Sequence, residues 1–225
     1  MVINERETSV KSVLDKLRLD IILGQLVPES RIVELQLAAE LGVSRGTLRS
    51  ALQSLEQEGL VESLSNGRTV VVGFTIKHAE DLFEFRLMME RKALSLIIDN
   101  PLVNYHPMMS VVDEMIRMNG KPRPDEMNAT ITALDVRFHH SIMVMAGNNS
   151  MLRAWNTLAN VLYSLLNVTN SSYDSFDAYL RKHKRLSDLI LQRSPDCVGE
   201  MEEHIAAAKT IIVQRLSHKL ETTRR

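Results

Sequence analysis

The segment Glu34-Leu-Gln-Leu-Ala-Ala-Glu-Leu-Gly-Val-Ser-Arg-Gly-Thr-Leu-Arg-Ser-Ala-Leu52 constrains this chain more than any other. It has the layout of two short helices joined by a sharp turn. Ala38 is small enough to let the helices approach, and Gly42 can take a turn conformation that larger residues resist. Ser44 is a good N-cap for the second helix. Arg45, Thr47 and Arg49 then crowd its first turns, where a recognition helix meets base edges and phosphates. The pattern predicts a chain that reads DNA.

The flanks extend the pattern. Leu48, Leu52 and Leu55 recur at helical spacing, and Gly59 ends that helix. Leu60-Val-Glu-Ser and Thr69-Val-Val-Val bracket a tip of Ser65-Asn66-Gly67-Arg68, which predicts a hairpin, or wing, with one basic residue at its tip. Upstream, Val13, Leu14, Leu17, Ile21 and Ile22 predict a helix from about Val10 to Leu23. A winged helix-turn-helix over roughly residues 5–73 follows. Bulk charge gives it no support, with eight Lys+Arg against ten Asp+Glu in residues 1–73. Local charge does: between Val43 and Leu55 there are two arginines and no acid. Solvated surface arginines are the plain alternative, and the turn and wing at the right distances weigh against it.

At 225 residues, 44% hydrophobic and 24% charged, the chain has the length and composition of one or two globular domains. No apolar run approaches the ~20 residues that span a bilayer, and the first residues lack the basic start and apolar core of a secretory signal. A soluble, cytoplasmic protein with no membrane partner is expected. Cys197 is the only cysteine, so an intrachain disulfide is excluded and a packing role is expected. Core packing is likewise the expected role of most of the twelve methionines.

After the wing the pattern is helical throughout. Helices are predicted near 77–99, 104–119, 125–147, 150–168, 175–193 and 196–221, broken at Asn100-Pro101, Gly120 to Pro124, Gly147-Asn-Asn, Asn170-Ser-Ser and Ser194-Pro195. The fold class is mainly α: a winged helix-turn-helix domain over 1–75 and an all-α six-helix bundle over 76–225. Six helices can enclose an interior, and an interior invites a ligand.

Polar residues inside this pattern carry the chemistry. Asp135 and His139 are four residues apart and share one helix face. His183 stands 11 residues before Ser194 and His204 10 after it. In an antiparallel hairpin both are therefore about 16 Å from the turn, at ~1.5 Å per residue. If the Asp135 helix packs beside them, one carboxylate and three imidazoles converge, a fair ligand set for zinc or a similar divalent metal. The plain alternative is a surface Asp–His pair with two solvated histidines. His78, His106, His140 and His218 have no such partner arithmetic and are read as structural. Arg86 has Leu82, Met89 and Ala93 around it on one helix face, so its guanidinium is expected to look inward. Either Glu90 at i+4 or a bound carboxylate would then be its anionic partner.

These residues resemble a known family. Gly24 to Arg31, Leu37 to Leu52 and Leu55 to Val61 resemble the GntR family of bacterial transcription regulators. Phe85-Arg86 with Glu90, Asp135-Val-Arg-Phe-His139, Gly147-Asn148, His183 and His204 resemble its FCD branch, the FadR-like group of helical sensor domains. The short six-helix sensor is more similar to the VanR-type subgroup. The resemblance implies a homodimer on a double-stranded, pseudo-palindromic DNA operator, released by a small organic or sugar acid. It implies a metal, zinc or another divalent ion such as nickel, held by Asp135, His139, His183 and His204. Effector contact is assigned to Arg86 and Asn148, and DNA contact to Arg31, Ser44, Arg45, Thr47, Arg49, Asn66, Gly67 and Arg68.

Three positions depart from the family pattern: Pro28-Glu29 replaces Pro-Gly, Arg45-Gly-Thr-Leu replaces Arg-Thr-Pro-Val, and the wing tip reads Asn-Gly-Arg instead of Asn-Arg-Gly. The second puts Gly46 in the recognition helix, so an operator sequence cannot be carried over. Two other readings stay open: a metal-dependent enzyme acting on a small carboxylate, and a metal-free sensor of an acyl ligand. Against the enzyme, the sequence has no nucleophile elbow, phosphate loop or His-Glu-x-x-His. Against the acyl sensor, such an interior has no need of four convergent ligands.

Overall fold

A computed structural model describes residues 5–121, 126–169 and 175–223. They form two compact units. One runs to His78 and takes in the chain from Leu216 onward, and the other is Ala79–Arg215.

The first unit contains α1 (Glu5–Ile22), β1 (Arg31–Ile32), α2 (Glu34–Glu40), α3 (Arg45–Gln57), β2 (Val61–Ser63) and β3 (Thr69–Val71). Val13, Leu17, Ile21 and Ile22 of α1 and Leu48, Ala51, Leu52 and Leu55 of α3 are buried at helical spacing, so the two helices close one core. Arg18 and Glu58 are buried with it. The guanidinium donates from Nε and an Nη to the two Glu58 oxygens, at 2.7 and 2.8 Å, which ties α1 to the end of α3. Ser44 caps α3, its Oγ accepting from the Thr47 N–H at 3.0 Å. Gly42 adopts φ 66° in the turn between α2 and α3.

The predicted hairpin is present, but the sheet has a third strand. Its order is β1-β3-β2, antiparallel throughout, with Arg31 opposite Val70 and Val61 opposite Val71. Two residues are too short a run for alternation to reveal, so β1 had no sequence signal. The close approach of Gly73 to Pro28 requires a glycine: at φ 87°, a Cβ there would lie 2.7 Å from the proline ring.

The helices that follow are α4 (Ile76–Asp99), α5 (His106–Met118), α6 (Met127–Met145), α7 (Asn149–Val168), α8 (Phe176–Leu191) and α9 (Asp196–Thr223). Each lies within about two residues of its predicted span. The start predicted at 125, most of the Gly120–Pro124 break and the Asn170-Ser-Ser break fall outside the described residues. α1 begins five residues earlier than its apolar pattern. The end of α9 groups with the first unit, although its helical periodicity runs on past Arg215 without a break.

Local chemistry sets the helix starts. Thr75 and His78 exchange bonds at the head of α4: the Thr75 Oγ1 accepts from His78 N–H and His78 Nδ1 accepts from Thr75 N–H. Ser175 caps α8 through Ala178 N–H. α6 is buried nearly all round and packs against α5, α7 and α8, which makes it the central helix of the second unit. Met108, Met115, Met143 and Met201 are fully buried, as packing residues should be. Cys197 is buried too, and desolvation pushes its thiol up to about 11. Among the described residues no helix is long and apolar enough to cross a membrane.

Gly46 takes an ordinary helical conformation, and a Cβ added there would meet only the Ser44 Oγ at 3.8 Å. Gly46→Ala should therefore stabilise the first unit by a few tenths to about 1 kcal/mol, since alanine restricts the unfolded chain without strain. A higher urea midpoint with unchanged slope is the expected result.

Candidate functional site

At the head of α3, Arg45 is the first helical residue and is exposed, with no acid in that first turn. A cation at a helix N-terminus opposes the macrodipole, so it contributes nothing to helix stability there. An anion such as a phosphate would meet both the guanidinium and the free N–H groups. Arg49 is exposed but engaged: its Nε donates to Glu34 at 2.6 Å, an α2 residue that the local acid count around α3 did not include. The Nη groups lie outside that bond, and Glu34 holds the side chain in one orientation. Thr47 is half-buried and shares a 2.8 Å hydroxyl contact with Ser44, so both serve the cap. Arg31 is exposed on β1. At the wing tip Asn66, Gly67 and Arg68 are exposed, with Asn66 Oδ1 accepting from Arg68 N–H at 3.1 Å and Gly67 at φ 75°.

In the second unit, Asp135 and His139 from α6, His183 from α8 and His204 from α9 come together, with one ligand atom from each inside 4.8 Å of the others. His139 Nε2 is 3.2 Å from His204 Nε2, and His183 Nε2 is 3.1 Å from Asp135 Oδ1. Two ligands at ~2.1 Å on one metal ion stand roughly 3.0–3.4 Å apart, so these spacings suit a shared ion. Asp135, His139 and His183 are buried and His204 is half-buried.

The outer face of the rings explains their orientation. His183 Nδ1 donates to the Tyr179 carbonyl at 2.9 Å, one helical turn back. His139 Nδ1 donates to Glu90 Oε2 at 2.5 Å. With both Nδ1 atoms hydrogen-bonded outward, each ring turns its Nε2 towards the centre. The centre then holds a carboxylate oxygen and imidazole nitrogens, a donor set that suits a divalent cation.

Burial would raise the Glu90 carboxyl, but His139 and Arg86 outweigh it and hold it below the usual carboxylate range. Burial likewise opposes ionisation of Asp135. The bond from His183 and the charges of His139, His183 and Arg86 prevail and hold its carboxyl far below that range. Burial pushes His139 down, reinforced by Arg86. Burial and the neighbouring His183 and His139 push His204 well below the ordinary imidazole value. The surroundings thus favour ionised carboxylates, and burial disfavours the charged form of these two rings, the directions that metal ligation requires.

Arg86 is buried, as its helix face predicted, and its Nε donates to Glu90 Oε1 at 2.7 Å. Its Nη2 lies 3.9 Å from Asp135 Oδ2 and has no hydrogen-bond partner among the described residues. The inward arginine thus has the internal partner and an unused donor as well. Asn148, expected to contact the effector, is exposed at the start of α7, where its Oδ1 accepts from Ser150 and Met151 N–H at 3.1 Å. Its polar side chain serves as that helix's N-cap. Sequence reading placed Glu90 beside Arg86 only, because its link to His139 spans 49 residues and no local spacing encodes it.

With this geometry in view, comparison with known proteins is informative. Residues 9–71 match the model described as bacterial regulatory proteins, gntR family, and residues 81–207 match the FCD domain. The chain belongs to the FCD branch of the GntR family and is a ligand-responsive DNA-binding transcriptional regulator. Among curated proteins it is 24% identical over 209 residues to the HTH-type transcriptional regulator YdhC of Bacillus subtilis, covering 92% of this chain and 90% of that one. It is 28% identical over 175 residues to the gluconate operon transcriptional repressor of Bacillus licheniformis, covering 75% and 70%. A GntR transcriptional regulator from Rhodococcus sp. RHA1 shares the fold, with a TM-score of 0.61 and 21% identity over 92% of this chain and 98% of that chain. The family and these relatives are regulators, not enzymes.

Glu90 neutralises two cationic or hydrogen-bonding partners in a dry interior. Glu90→Ala should cost about 3–5 kcal/mol by leaving Arg86 uncompensated. Chemical denaturation of the metal-free protein should show a correspondingly lower midpoint.

Proposed function

We propose that the chain is a repressor, released from a pseudo-palindromic operator by a small organic or sugar acid that binds beside a divalent metal in the helical unit. The inward-facing set of one carboxylate and three imidazoles, two of them oriented by outward hydrogen bonds, carries this reading. Asp135, His139, His183 and His204 would hold the ion, with zinc the first candidate and nickel or another divalent metal suited to the same donors. Bound there, the metal supplies a Lewis-acid anchor for a carboxylate oxygen. Arg86 contributes a fixed positive charge and a free N–H on the same side as Asp135. The similarity to a gluconate operon repressor supports a sugar acid as one member of the effector class.

At the other end of the chain, Arg45 and Arg49 reach bases or phosphates, Ser44 and Thr47 shape the head of α3, and Arg31 with Asn66 to Arg68 meets the backbone or adjacent groove. Phosphate contacts set register and base contacts set sequence. Two copies of the chain, as a homodimer in the cytoplasm, match two half-sites. The effector must bind one dimer geometry more tightly than the other, since equal affinity for both would shift nothing.

The test begins with purified protein and sheared DNA from its source organism at near-physiological salt. Retention of a few fragments with an inverted repeat is expected, with about one equivalent of divalent metal per chain. A metal-binding chelator should abolish acid-induced release while the chain still retains DNA. Uniform retention, or protein that takes up no metal, would overturn the reading. On a recovered operator, Arg45→Ala and Arg49→Ala should each cost about 1–3 kcal/mol of binding in gel-shift titrations, with metal content unchanged.

A further inference from the structure

The face of α4 turned away from Arg86 and Glu90 presents Asp81, Glu84, Phe85, Met88, Arg91 and Lys92 to solvent. Spaced at three and four residues, they share one stripe. Phe85 is 41% and Met88 60% exposed, although both are large and apolar. A hollow of about 460 Å³ runs along this face, lined by Glu84, Leu87, Met88, Arg91, Lys92 and Ser95. An apolar centre within a charged rim is the usual make-up of a protein interface.

The order of the stripe says what fits it. From the N-terminal end it reads acid, apolar, base, with Met88 at the middle. Glu84 and Lys92 each stand four residues from Met88, and Phe85 and Arg91 each stand three. Laid antiparallel on itself about a two-fold axis at Met88, the stripe sets Glu84 of each copy against Lys92 of the other, and Phe85 against Arg91. All four positions lie within ~6 Å of the axis at ~1.5 Å per residue, so a shallow helix crossing keeps them in reach. A guanidinium over an aromatic ring adds cation–π attraction. The bonds already present do not use up these groups. Glu84 meets Lys209 at 3.3 Å and Arg91 Nε meets Glu202 at 2.9 Å, both weak pairs at the surface. Lys92 forms no ion pair among the described residues.

We propose that this stripe is the seam of the homodimer, with α4 of each copy packed antiparallel on the other about Met88. This rests on the homodimer reading above and says where the two copies meet. An isologous contact requires a surface complementary to itself, and a foreign partner has no reason to match one. The same helix carries the Arg86–Glu90 pair on its buried side, so the polar centre of each copy abuts the seam through a single helix.

Charge reversal tests the pairing in the full chain, read by sedimentation equilibrium. The wild-type chain should dimerise. Glu84→Lys and Lys92→Glu should each weaken the dimer tenfold or more, since two repulsive pairs replace two attractive ones. An equimolar mixture of the two variants should form a heterodimer close to wild-type strength, because every lysine then faces a glutamate. Both substitutions in one chain should likewise restore the homodimer. Helical content and zinc uptake should stay unchanged throughout, since both side chains are at the surface.

A wild-type chain that stays monomeric would overturn the homodimer reading, and the seam with it. A wild-type dimer that neither reversal weakens would overturn the seam alone. Weakened single variants that fail to recover on mixing would overturn the two-fold register about Met88.

Discussion

Everything in the helical unit depends on how Glu90 is used. Its carboxylate accepts from Arg86 on one oxygen and from His139 on the other, in an interior closed to water. A lone buried carboxylate would lose its charge, but two donors keep it ionised. That charge fixes the proton of His139 on Nδ1 and turns Nε2 to the centre. It also holds Arg86 inside the protein, where one donor remains unused beside Asp135. Replace Glu90 by an apolar residue, and neither the ring orientation nor the inward guanidinium has a physical reason to persist.

The remaining members of the Asp/His cluster are placed by helix geometry. Asp135 and His139 occupy successive turns of α6, which is buried nearly all round and so carries its polar face inward. His183 is oriented by a carbonyl of its own helix, which needs no partner from elsewhere in the fold. His204 completes the set from α9 and is the member that solvent still reaches. The result is a polar centre enclosed by aromatic edges, with Phe138 set edge-on to both His139 and His183. Such walls exclude water and strengthen each electrostatic contact inside.

The DNA-reading unit works by different means. Its charge balance is slightly acidic, but the exposed Arg45 at the head of α3 has no acid in the same turn. Glu34 does not oppose this, since it binds only the Nε of Arg49 and sets the direction of the side chain. The buried Arg18–Glu58 pair anchors the far end of α3 to α1. The helix that presents the arginines is thus held at both ends.

Much of this was legible in the residues themselves. Helix spans followed from apolar spacing, the helix-turn-helix from Ala38, Gly42 and Ser44, and the approach of His183 and His204 from 11- and 10-residue distances about the Ser194-Pro195 turn. These are local regularities, because backbone periodicity and capping act within a few residues. Asn148 caps α7, a role that a polar residue next to a glycine also suits. The strand β1, the grouping of the end of α9 with the first unit and the Glu90–His139 bond left no trace in spacing. Each joins residues far apart in the chain, and only packing brings such groups within hydrogen-bond range. The sequence by itself determined the elements and the kinds of chemistry available. Tertiary structure decided which imidazole nitrogen faces the centre and which donors remain unpaired, because both depend on contacts between helices.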